Sequence, residues 1–141
     1  MSDLFEADVN YLAVILGTLA AQMLGFAWYS ALFSRRWMAA RGYSESDVRG
    51  DANPAVYAVP LVVAALIAYG LSRLVDMVGA DSVGDCVAVA AFVWVSFAAS
   101  VQAGQINFSP NVNNKVAVFA IEGGYQLISF LIIGAIIGAF Q

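Results

Sequence analysis

Four long apolar stretches, at about 10–33, 54–78, 85–107 and 116–140, follow one another with only short polar breaks. A helix needs roughly 20 predominantly apolar residues to cross a hydrocarbon core about 30 Å thick, so each stretch suffices. With every backbone polar group to be satisfied away from water, segments of this length are helices. The expected fold is therefore all-α: a polytopic membrane protein with four transmembrane helices in a compact bundle. A single transmembrane domain is expected over 1–141, with an interfacial loop at 34–53 carrying a short interfacial helix after the first span. Composition agrees, since 62% of the 141 residues are hydrophobic and 11% charged, far from the balance of a water-soluble domain. The first stretch, "NYLAVILGTLAAQMLGFAWYSALF", reaches about 36 Å at 1.5 Å per residue. It lacks a preceding positive segment and a small-residue cleavage site, and is expected to be retained as a span rather than removed as a signal peptide. In the second, Pro54 suits a helix's first turn and Pro60 is positioned to kink it.

Four spans place both termini on one side, and the positive residues choose which. Arg35, Arg36, Arg41 and Arg49 follow span one and Lys115 precedes span four, against Arg73 alone on the other side. Positive residues in short loops stay cytoplasmic. The expected location is the cell membrane with the N-terminus and C-terminus outside, where Asp3, Glu6, Asp8, Asp76, Asp81 and Asp85 also fall. The net charge of −4 has two readings: outer acids that mirror the positive-inside bias, or acidic surfaces tuned to high salt in a halophilic source. Neither provides a basic face for nucleic acid, so no nucleic-acid partner is expected. One cysteine, Cys86, excludes an internal disulfide, and the absence of histidine removes the commonest transition-metal ligand. No metal, cofactor or catalytic residue is expected, and no serine or cysteine has a candidate base, so the chain is not expected to be an enzyme.

The arginine-rich loop, "SRRWMAARGYSESDVRGDANP", has local organisation. Arg35, Arg36 and Trp37 suit interfacial anchors, with the ring at headgroup level and the cations toward lipid phosphates. Gly42 is a helix stop, Ser44 and Asp47 form a variant capping box before a short helix, and "GDANP" is a turn. Membrane lipid is an expected partner, and the loop is read first as an interfacial anchor, with a dock for a lipid or partner protein as the alternative.

Small residues recur every four positions: Ala13, Gly17, Ala21 and Gly25; Ala64, Ala68 and Ser72; Ser96, Ser100 and Gly104; and Gly134 with Gly138. Such stripes let helices approach closely where lipid provides no hydrophobic drive to associate. Gly123 and Gly124 are further close-packing positions. A compact bundle follows, and a homo-oligomer is expected because four helices enclose little interior. "GFAWYS" and "AFVWVS" repeat Phe-x-Trp-x-Ser at Phe26 and Phe92, an echo read as chance because the two copies sit at different depths.

The stretches "GFAWYSALFSRRWMAARGYSESD", "NPAVYAV" and "FAIEGGYQLISFLIIGAIIGAF" resemble the domain of unknown function 1761 family of small four-span prokaryotic membrane proteins. The likeness covers nearly the whole chain. Its most specific part is Gly25, Trp28, Tyr29, Ser30, Phe33 and Trp37, followed by Gly124 and Tyr125. The family pattern usually has Pro at the position of Ala31, and Asn-Ala-Gly-Tyr-His where this chain has Glu122 to Gln126. The resemblance implies a fold and no activity.

Glu122, in "FAIEGGYQLI", is the polar residue that most needs an explanation. Six residues into span four it lies about 9 Å deep. Tyr29, Tyr57, Gln102 and, more shallowly, Gln105 reach similar depth, so these and Tyr125 form the expected polar layer; Gln22 and Gln126 are secondary members. A charged side chain facing lipid costs about 2.5 to 3.5 kcal/mol at mid-membrane, while neutralising a glutamate at pH 7 costs about as much. Two functions are consistent with this. One is a homo-oligomeric small channel or carrier using the layer; the other is a structural or accessory membrane subunit, in a larger membrane complex or packed on itself, with no transport activity. Water reaching Glu122 favours the first, and a saturated dry cluster the second.

Overall fold

A computed structural model describes residues 8–49 and 53–141. Asp3, Glu6 and the Gly50–Ala52 part of the expected turn lie outside the described residues. Span one is α1, Tyr11–Ala27, whose first turn is capped by the Asn10 side chain accepting from Ala13 N–H, followed by a π-helical segment, Trp28–Leu32. Phe33, at φ −123° and ψ 6°, leaves helical geometry and turns the chain into α2, Ser34–Arg41. Gly42 ends α2 at φ 78°, the left-handed conformation that favours glycine, and its N–H and that of Tyr43 both donate to the Met38 carbonyl. The capping box then opens α3, Glu45–Arg49: Asp47 N–H donates to Ser44 Oγ and Ser44 N–H donates to Asp47 Oδ2.

Span two is α4, Ala55–Met77. Span three is α5, Val83–Val93, a second π-helical segment, Trp94–Ala99, and α6, Ser100–Asn107. Span four is α7, Lys115–Ala139, capped by Asn114. All four are long and apolar enough to cross a membrane, and the chain is a multi-pass membrane protein.

Span four is the hub. It packs along spans one and three and touches span two, while span two leans chiefly on span one. The core joins Ala13, Ala21, Ala64, Ala68, Leu71, Val75, Cys86, Ala90, Phe130, Ile133 and Ile137. Three of the four small-residue stripes face inward. Gly17 meets Ile133, and Ala64, Ala68 and Ser72 are buried on span two. At Gly134 an added Cβ would come 2.9 Å from both Ala90 Cβ and the Cys86 carbonyl oxygen, and at Gly138 2.6 Å from Val83 Cα, so this pair sets how closely spans three and four approach. The third stripe differs: Ser96, Ser100 and Gly104 are exposed, and a Cβ at Gly104 would meet nothing within 4 Å.

Each π segment starts at the tryptophan of one copy of the Phe-x-Trp-x-Ser echo. In span three the consequence can be derived. Cys86, Ala90, Trp94, Ala98, Gln102 and Ile106, all buried or half-buried, recur every four residues. On a regular helix each step of four drifts about 40° around the axis, so five steps would carry Ile106 about 200° away from Cys86. A wide turn absorbs an extra residue and takes back roughly 100°. Gln102 and Ile106 thereby stay on the side facing span four.

Candidate functional site

The Glu122 carboxylate, 13% exposed, is enclosed by donors from two other elements. Arg41 approaches it two-pronged: Nε donates to Oε1 at 2.7 Å and Nη2 to Oε2 at 2.6 Å. Trp37 Nε1 donates to Oε1 at 2.9 Å and Gln102 Nε2 to Oε2 at 3.2 Å. Trp37 and Arg41 are four apart on α2 and therefore share one face. Arg41 is itself only 23% exposed, so both charges are largely withdrawn from solvent and the fork geometry matters.

Aromatic rings hold α2 in place to do this. Trp37 packs edge-on against Tyr29 at 5.3 Å and Tyr43 at 5.5 Å, and Tyr29 in turn meets Tyr125 at 5.4 Å. Trp28 Nε1 donates to the Ile121 carbonyl, one residue before Glu122, and Tyr125 Oη donates to the Ala21 carbonyl. Gly25 and Gly124 leave room for these rings: a Cβ at the first would press on Tyr125 Oη at 3.0 Å, and one at the second would touch Trp28 at 3.4 Å. At the far end of α2, Asn114 N–H donates to the Ala40 carbonyl and Asn113 Nδ2 to the Ala39 carbonyl. The helix is thus fastened across the end of the bundle at its middle and at its C-terminus.

Of the expected polar layer, Glu122, Gln102, Tyr29 and Tyr125 come together here. Two members do not. Tyr57 is 65% exposed, because every residue from Asn53 to Val63 stands clear of the bundle and span two packs only from Ala64 onward. Gln105 is exposed on the flank of the face that carries Gln102 and Ile106. Depth along a helix says nothing of the direction a side chain points, which accounts for Gln105, nor of whether a neighbouring helix is present at that level, which accounts for Tyr57. Trp37, expected as an interfacial anchor, instead donates to the carboxylate; Arg35 and Arg36 are exposed. Lys115 Nζ donates to the Asn107 carbonyl. Arg41, the strongest partner, was absent from the expected layer, although its spacing from Trp37 and the helix stop at Gly42 are signals in the sequence.

Gln22 and Gln126 are half-buried. Four side-chain atoms along the interface of spans three and four are buried with no hydrogen-bond partner: Gln102 Oε1, Gln126 Oε1, Ser129 Oγ and Trp94 Nε1. Gly123, buried, lies against Gln102, where a Cβ would be 3.4 Å from Oε1.

The family model described as protein of unknown function (DUF1761) matches residues 12–138. The chain belongs to that family. The match takes in the four spans but for Tyr11 and Ala139, together with α2 and α3, so the carboxylate clasp lies wholly inside the DUF1761 region. Comparison with curated proteins and with solved structures finds no match.

Proposed function

We propose that this DUF1761 protein is a structural or accessory membrane subunit that moves no solute, and that Arg41 and Glu122 form a clasp holding α2 across the arginine-bearing end of the bundle. One observation carries the reading: four N–H groups of the same chain occupy both oxygens of the glutamate. A solute-coupling carboxylate needs a free coordination site in at least one state, and this one is spent on internal bonds. No reaction is assigned to the protein. The positive residues put the clasp on the cytoplasmic side with both termini outside. Self-association through the outward Ser96, Ser100 and Gly104 stripe is the simplest use of a small-residue face that packs nothing within the chain; a larger membrane complex is the alternative user.

A second reading, a homo-oligomeric small channel or carrier, is favoured by the unpartnered atoms of Gln102, Gln126, Ser129 and Trp94, which run inward from the clasp. Proton and small-solute flux into liposomes containing wild type or Glu122→Gln separates the two. The structural reading expects both to match empty vesicles. Flux above that level in wild type, altered in Glu122→Gln, would establish the carrier.

A further inference from the structure

A cavity of about 450 Å³ opens where span one ends and α2 and α3 begin. Ser30, Ala31 and Leu32 form one wall; Leu32 is the last residue of the span, so the opening lies at the edge of the membrane-crossing segment. Arg35 and Arg36 from α2 and Arg49 from α3 line it, with Glu45 as the one acid. These three arginines have no hydrogen-bond or ion-pair partner among the described residues, in contrast to Arg41. The lining is two positive charges in excess. Besides Ser30 and Ser34, the remaining lining is Ala31, Leu32, Met38 and Val48, with Leu32 62% and Val48 48% exposed.

We propose that this cavity binds the phosphodiester headgroup of an anionic phospholipid. Each element of the lining matches part of such a molecule. Guanidinium groups recognise phosphate oxygens in a two-pronged way, and are more weakly hydrated than an ammonium. Ala31 and Leu32 at the span's end meet the glycerol backbone and the first methylenes. Glu45 accepts from a hydroxyl on the headgroup, which favours a hydroxylated anionic headgroup over a choline. The first turn of α2 has no side-chain cap, which adds backbone donors at Ser34, Arg35 and Arg36, the same residues that line the cavity. The volume falls within the range of small-molecule sites, about 300 to 1,000 Å³. Charge alone would scatter the arginines over a loop; here two helices and a span end converge them on one concave site.

The test is native mass spectrometry of the full chain from nanodiscs containing equal phosphatidylglycerol and phosphatidylcholine with the same acyl chains. Wild type is expected to retain phosphatidylglycerol over phosphatidylcholine by about tenfold or more. Arg35→Gln/Arg36→Gln/Arg49→Gln is expected to retain both equally, Arg49→Gln alone to show an intermediate preference, and Lys115→Gln to behave as wild type. Since the three arginines are exposed and unpartnered, helicity by circular dichroism is expected to be unchanged; should the triple variant unfold, Arg49→Gln carries the test. No preference in wild type, an undiminished preference in Arg49→Gln, any preference left in a folded triple variant, or an equal loss in Lys115→Gln would overturn the proposal. Displacement of bound phosphatidylglycerol by millimolar glycerol phosphate would overturn the lipid assignment and make this a site for a soluble phosphate.

Discussion

Replacing Arg41 with Met removes the charge and the fork but keeps most of the aliphatic stem. It leaves Glu122 largely buried with Trp37 and Gln102 as its remaining donors. Removing one partner of a buried pair costs about 3 to 5 kcal/mol, and because Arg41 and Glu122 are 23% and 13% exposed the lower end applies, about 3 kcal/mol. Glu122→Met strands the arginine instead, whose long stem lets the head reach water, so a smaller loss of about 2 kcal/mol is expected. In Arg41→Met/Glu122→Met no charge is left uncompensated, and stability is expected within about 1 kcal/mol of wild type. The coupling between the sites, the two single losses of about 3 and 2 kcal/mol less the small change in the double variant, is then about 4 to 6 kcal/mol. Reversible unfolding in mixed micelles, followed by helicity, reads all four corners of the cycle. Additive single effects of less than about 0.5 kcal/mol each, as for an exposed ion pair, would refute the claim that the clasp is a buried and structurally necessary contact.

Four further outcomes follow from the same geometry. Trp37→Phe keeps a ring against Tyr29 and Tyr43 but loses one hydrogen bond to a charged acceptor, and should cost about 1.5 kcal/mol or more in the same unfolding assay. Gly138→Ala drives a Cβ to 2.6 Å from Val83 Cα and should destabilise by about 1 to 3 kcal/mol, whereas Gly70→Ala, with nothing within 4 Å, should be near neutral. Gly104→Ile should leave unfolding unchanged yet lower the oligomer fraction in mild detergent by light scattering; equal oligomerisation would remove span three from the interface. The Ser44 hydroxyl and N–H hold the Asp47 carboxyl below its usual range, so the α3 cap is fully formed above the ordinary carboxylate pKa of about 3.9 and weakens as pH falls through the lower folded value; amide exchange in α3, corrected for intrinsic rate, should rise there, and rise less in Ser44→Ala, which loses the hydroxyl bonds and keeps only the backbone one.

What could be read along the chain and what could not divide on a physical line. Hydropathy, capping and stop signals are local, and so the four spans, the Ser44–Asp47 box and the Gly42 stop were all legible. That Glu122 and Gln102 share a level was legible too, because level along a span is residue number times rise. Azimuth and long-range placement were not. Tyr57 has suitable depth but sits on the exposed half of span two, which no count along the helix reveals. Arg41 is 81 residues from Glu122 and counted only as a loop charge, because nothing local says that Phe33 turns α2 across the bundle rather than out into solvent. The π segments were hidden for a different reason. A helical period assumed constant makes Cys86, Ala90, Trp94, Ala98, Gln102 and Ile106 look scattered, and only a strict spacing of four, sustained over 20 residues, hints that the helix must widen.

The most direct test of the clasp is the reactivity of Glu122 itself. Membrane-permeant carbodiimide adds to accessible carboxyl groups in apolar surroundings, and the adduct is located by peptide mass spectrometry. A carboxylate held by Arg41, Trp37 and Gln102 is expected to stay unmodified in wild type and to become labelled in Arg41→Met. Rapid labelling of Glu122 in wild type, at the rate seen in Arg41→Met, would contradict the account and return the glutamate to the class of open, solute-facing acids.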